Sequence, residues 1–141
     1  MTSLLNADCR LKVSSVLNKE TALYGKQFLT DDSEETCWNS EAGTPQFIVI
    51  DFGRQVNIDT IQLMFQGGFV GKTCQVQRWT DEGAFVDMTR FYPDDINPLQ
   101  KFSIAEADRH ITSRIKIIFE SSTDFFGRIT VYKLDILGQD A

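Results

Sequence analysis

At 141 residues the chain has the length of one domain, able to bury roughly 68–70% of the surface its unfolded form exposes and so to hold a core without staples. A formal charge of −6, with Lys and Arg spaced in ones and twos, argues against the basic face that direct DNA or RNA binding needs. Three widely spaced cysteines (Cys9, Cys37, Cys74) and one histidine make neither a disulfide framework nor a zinc set; they suit reduced thiols inside a cell, in nucleus or cytoplasm. The N-terminus has no signal-peptide pattern, and no apolar run approaches the ~20 residues of a membrane span.

In chain order, residues 1–8 read as a flexible tail and residues 10–17 (RLKVSSVL) as a first strand. Residues 18–28 are polar and read as loop with one helical turn. Residues 29–40, LTDDSEETCWNS, are the stretch to which the rest is attached. Asp31, Asp32 and Ser33 have short polar side chains that bond back to their own backbone and favour turns, and Trp38 follows as a ring that needs cover. Residues 46–52 (QFIVIDF) form a strand apolar on both faces, and Gly53-Arg54 turns. Residues 56–65 alternate as a second long strand, with an irregularity near Asp59-Thr60.

The glycine-dense loop 66–71 carries Phe69 and Val70. Strands follow at 74–79 and 85–91 around the turn Asp81-Glu82-Gly83, and then a short one at 102–104. The clearest strands are 111–120 and 128–137, rich in β-branched residues. About eight strands with almost no helix predict an all-β jelly-roll sandwich over 9–138, with a second short tail at 139–141.

The ordered set Leu29-x-Asp31, Thr36-x-Trp38-x-Ser40, 46–53, 114–119 and 132–138 resembles the discoidin, or coagulation-factor type C, domain. The resemblance implies the galactose-binding-like jelly roll of that family. The motifs VSSVLN, EETCWNS, FQGGF, FYPDD and TDFFGR further resemble small intracellular proteins described as repressing partners of an orphan nuclear receptor. Extracellular discoidin domains tie their ends with a cysteine pair, and Cys9 has no partner near the C-terminus. In sugar-binding relatives a carboxylate on the last strand completes a calcium site in the acidic loop. The resemblance puts Lys133 at that position, with Asp135 close by, and an ammonium there would repel the ion.

Candidate sites follow from both readings. Asp31, Glu34 and Thr36, with Asp32, are the oxygen ligands a calcium site would use, set against a self-bonded turn. Phe69, Val70, Phe125, Phe126 and Arg128 lie in glycine-flanked loops and make a candidate protein-binding patch, set against an inward plug over the sandwich end. Membrane insertion is disfavoured, because anionic headgroups repel a net negative domain. Arg54, Arg90, Arg114 and Arg128 with Trp79 are candidates for a sugar cleft, set against scattered surface cations. Val13–Leu17 (VSSVL) has the apolar spacing of a receptor-docking helix but reads as core strand. His110 sits in a polar run with no nucleophile motif, so the expectation is a binding module and no enzyme. The function expected is regulation of a nuclear receptor by direct protein contact. The alternatives are a calcium-assisted carbohydrate binder and a scaffold subunit of an intracellular complex.

Overall fold

Residues 46–65 form a single twenty-residue strand rather than two strands parted by a turn. In the computed structural model, which describes residues 2–141, this is β4 (Gln46–Phe65). Gly53 bends it in a left-handed conformation (φ +69°) while its N–H donates to Asp51 Oδ1 at 3.0 Å. The chain changes direction there as one continuous strand, and ladder pairing breaks off after Asp51 and resumes in a shifted register at Val56. Before the bend β4 pairs with β2 (Arg10–Val13) and β8 (Ile111–Phe119); beyond it β8 still pairs at Val56 and Asn57, and the other partners are β7 (Gln100–Ser103) and β9 (Thr130–Asp140). One strand thus serves both layers of a jelly-roll sandwich.

The remaining strands extend these layers. β5 (Cys74–Trp79) pairs with β8, and β6 (Phe85–Phe91) pairs with β5 at the edge. β1 (Thr2–Ser3) and β3 (Trp38–Asn39) both pair with β9. The expected irregularity near Asp59-Thr60 is present as a register shift between Ile58 and Thr60. It is required because Ile58 and Ile61, an odd three residues apart, both face the core, and a two-residue period cannot do that unbroken.

Trp38 lies wholly buried and ties the acidic stretch to the first strand, its indole N–H donating to the Ser15 carbonyl at 2.9 Å. Its ring sits 6.2 Å from Phe119, which meets Phe65 edge-on at 5.9 Å; such pairs add about 0.5–1.5 kcal/mol beyond their area. The first strand is shorter than expected. β2 ends at Val13, and Ser14 and Ser15 both turn their hydroxyls to Gln46 Oε1. Val13 and Val16 pack on the core, so the VSSVL spacing belongs to the interior and not to a docking helix. Residues 17–29 contain one helical turn, α1 (Thr21–Tyr24), between two tighter 3₁₀ turns.

Neither expected tail is loose. Met1 lies outside the described residues, but Thr2 and Ser3 pair with Gly138 and Leu137. Leu4 is 1% exposed, with its N–H bonded to the Ile136 carbonyl at 2.7 Å. At the other end β9 runs on to Asp140, and the Ala141 N–H reaches the Gln55 carbonyl at 3.0 Å. An apolar Leu4 seated in the core is what converts the segment from tail to edge strand.

The β4–β9 seam leaves no room for a side chain at Gly138, where a Cβ would stand 2.1 Å from the Asn57 carbonyl oxygen. Gly138→Ala is expected to destabilise the fold by about 1–3 kcal/mol, read as a lowered urea midpoint with an unchanged slope.

Candidate functional site

Four loops meet at one end of the sandwich: residues 41–45, 66–71, 92–98 and 121–128. Two bare glycine amides are clasped by acceptors from the third loop, Gly67 N–H by Asn97 Oδ1 at 2.6 Å and Gly68 N–H by Asp95 Oδ1 at 2.8 Å. Val70 is locked to the fourth loop. Its N–H donates to Thr123 Oγ1 at 3.0 Å, and its carbonyl accepts the Thr123 N–H at 2.8 Å. The first loop joins through Gly43 N–H to the Phe126 carbonyl at 2.7 Å. Gly127 there has φ +81° and lies so close to the Gly43 backbone that a Cβ would meet it at 3.0 Å.

This frame holds two phenylalanines out in water. Phe125 is 93% exposed and Phe126 62%, and their rings meet edge-on at 5.3 Å. Beneath them, Asp124 accepts from Arg128 Nε at 2.9 Å, from Nη2 at 3.4 Å and from the Arg128 backbone N–H at 3.1 Å. Those bonds hold the Asp124 carboxyl below the usual carboxylate range and raise the guanidinium in return. The guanidinium also lies 5.0 Å from the Phe69 ring centroid and 5.8 Å from that of Phe126. Phe69, Arg128, Phe125 and Phe126 are therefore neighbours at this end. Val70 is not part of the surface: it is 0% exposed, the inward plug of its loop.

The acidic stretch is a self-bonded turn. Asp31 accepts the Ser33 N–H at 3.2 Å and the Thr36 hydroxyl, while Asp32 binds Lys133 Nζ at 2.9 Å. Lys133 thus reaches the loop from β9, as the register implied, and brings a positive charge into it. Glu34 stays exposed, and among the described residues no three acidic, His or Cys side chains gather as a metal site. The expected ligand set Asp31, Glu34 and Thr36 is therefore not assembled, because the first and last already satisfy each other.

The arginines line no common cleft. Arg54 pairs with Asp140 (2.7 Å), Arg90 with Glu120 (3.2 Å), Arg114 with Asp51 (3.0 Å) and Arg128 with Asp124, four separate carboxylates. Trp79 has the Arg114 guanidinium 4.8 Å over its ring and Phe85 at its edge, so it offers no open platform for a sugar. His110 is exposed, with Nδ1 3.0 Å from the Asp108 carbonyl. Ser40 and Asp95 stood in the quoted motifs without a role, and Asn97 was not singled out. Ser40 exchanges bonds with Ile129, its N–H donating to that carbonyl and its Oγ accepting that N–H, both at 2.9 Å. Two adjacent glycines with free amides were the only signal that acceptors must exist nearby.

Comparison with known proteins agrees with this architecture. Residues 28–120 match the family model described as a NedA-like, galactose-binding domain, of the F5/F8 type C class. Nearly the whole chain aligns with proteins named nuclear receptor 2C2-associated protein. The Xenopus laevis protein is 47% identical over 98% of this chain and 99% of its own, and the Homo sapiens protein 39% identical over 97% and 96%. The chain belongs to the nuclear receptor 2C2-associated protein family. The fold of this family also appears in distant solved structures. The F5/8 type C domain of a Bacteroides fragilis protein has a TM-score of 0.83 at 12% identity, covering 99% of this chain and 97% of that one. A family 32 CBM from C. perfringens NanJ, solved with galactose, has a TM-score of 0.77 at 13% identity, covering 96% and 97%. The family model and these structural neighbours are binding modules. Among the described residues no helix is long and apolar enough to cross a membrane.

Two outcomes are expected. Because Asp124 is depressed in the folded state, its pairing stabilises above the ordinary carboxylate range, about pH 4, and is lost as pH falls through its lowered value. Asp124→Asn should therefore flatten the acid limb of melting temperature against pH. Calcium at about 1 mM should leave the melting temperature where chelator leaves it, since a ligand of the native state must raise it; a rise abolished by Asp31→Asn would restore the calcium site.

Proposed function

We propose that this domain is a non-catalytic binding module that docks onto a nuclear receptor through the loop end carrying Phe125 and Phe126, and represses the receptor by occupying it. The observation that carries the proposal is the pair of exposed rings on a rigid frame. Two adjacent phenylalanines in water have a large apolar surface to gain by contact, and the frame removes most of the ordering cost that a flexible loop would bear. The partner is supplied by the relatives' name, which describes association with nuclear receptor 2C2. Arg128, held over Phe69 by Asp124, adds the cationic neighbour common at interface centres. The net charge of −6 favours a basic partner surface and speeds encounter with it.

An intracellular setting fits three free cysteines, of which Cys74 is buried with its thiol pushed well above the ordinary range by desolvation and by Glu120. Carbohydrate binding has less to support it, because each arginine weighed for it already has a carboxylate.

Surface plasmon resonance with purified nuclear receptor 2C2 tests the reading. The Phe125→Ser/Phe126→Ser variant is expected to bind at least tenfold more weakly, about 1.4 kcal/mol, with a melting temperature unchanged within about 2 °C. In a receptor-driven reporter assay the same variant should fail to repress. Wild-type affinity in the double variant would remove the loop end from the interface.

A further inference from the structure

One sheet face carries charge opposite to that of the whole chain. In the layer β2–β4–β8–β5–β6 the inward residues are buried isoleucines such as Ile48, Ile50, Ile115 and Ile117, so the alternating residues between them point to solvent. In register across that outer face, Arg10 stands opposite Asp51 and Lys12 opposite Val49. Val49 in turn stands opposite Lys116, Asp51 opposite Arg114, and Gln75 opposite Arg90. Five cations thus share a face with three acids, Asp51, Asp87 and Glu120, in a molecule whose formal charge is −6.

The three acids are already engaged. Asp51 holds Arg114 at 3.0 Å, and Asp87 accepts the Gln77 side-chain amide at 3.1 Å. Arg90 is held by Glu120 from the neighbouring chain segment. Arg10, Lys12 and Lys116 have no ion-pair partner among the described residues, and the first two are exposed. Between them lie Phe47, Val49 and Ile118, half-buried, with Lys116 Nζ 4.3 Å from the Phe47 ring centroid.

We propose that this face is a second docking surface, for an acidic polypeptide segment interleaved with apolar residues. The segment's carboxylates would meet Arg10, Lys12 and Lys116, and its apolar side chains would cover Phe47, Val49 and Ile118. Charge complementarity selects an acidic occupant. The ring geometry selects polypeptide over nucleic acid, because bases bind such sheets by stacking on open aromatic faces. Here the Trp79 ring lies under Arg114 and the Phe47 ring under Lys116. None of these observations involves the loop end.

The test is fluorescence anisotropy with a fluorescein-labelled twelve-residue peptide of glutamates alternating with leucine and phenylalanine. A glutamine-for-glutamate peptide and a fifteen-nucleotide oligo(dT) are run beside it. Saturable binding of the glutamate peptide is expected, at least tenfold weaker for Lys12→Glu/Lys116→Glu and weaker at high salt. Arg10→Glu/Lys12→Glu, whose side chains are solvent-exposed, provides the same reversal if the Lys116 change disturbs folding. Phe125→Ser/Phe126→Ser should bind the peptide as wild type does. No saturable binding, equal affinity for the glutamine peptide, indifference to both reversals, loss in the phenylalanine variant, or tighter binding of oligo(dT) would each overturn the proposal.

Discussion

The structure depends on one strand belonging to two sheets. β4 pairs with β2 and most of β8 before Gly53 and with β9 and β7 after it, β8 crossing the bend to Val56 and Asn57, so both layers are registered to a single continuous backbone. Everything at the loop end inherits its position from this. β8 and β9, whose ends pair with Gln46 and Phe65 at the two ends of β4, deliver residues 120 and 130 to the same end, and the Phe125/Phe126 loop spans the gap between them. A slip of one residue in either half would turn Ile48 and Ile50, or Ile61 and Leu63, into water. The register is therefore held by most of the core, and the loop end is correspondingly rigid.

That rigidity explains how a chain can keep two phenylalanines exposed without collapsing them inward. The space beneath is filled by Val70 and sealed by the Asp124–Arg128 pair, while Gly127 is fixed against Gly43 by a contact that only glycine permits. The two surfaces of the molecule then differ in kind. The loop end is apolar around one neutralised ion pair, and the β2–β4–β8–β5–β6 face is basic with small apolar gaps. Under the two proposals the apolar anchor and the basic sheet face would take partners of different chemistry.

Much of the fold was legible in the sequence because alternation is local. Residues 46–52, 56–65, 111–120 and 128–137 announced themselves as strands, and the odd spacing of Ile58 and Ile61 announced the bulge. What was not legible depended on distant partners. Gly53-Arg54 reads as a turn, and only the pairing of Val56 onward with β8 and β9 shows that the same strand continues past it. Leu4 reads as tail until β9 is there to receive it. In the pair Phe69-Val70 the sequence leaves an inward plug and an exposed patch both open, and it is the bonding of Val70 to Thr123, fifty-three residues away, that goes with its burial. The acidic loop is the instructive case. Its composition suits a cation, yet Thr36 and Lys133 reach it first.

The central claim, a preformed loop-end interface for a nuclear receptor, is tested most directly by hydrogen–deuterium exchange of the domain with and without purified nuclear receptor 2C2. The account predicts that the free domain already exchanges slowly at Gly43, Gly67, Gly68 and Val70, whose amides are bonded. It also predicts that the receptor adds protection over residues 41–45, 66–71 and 121–128. Protection appearing elsewhere, with these loops unchanged, would contradict it.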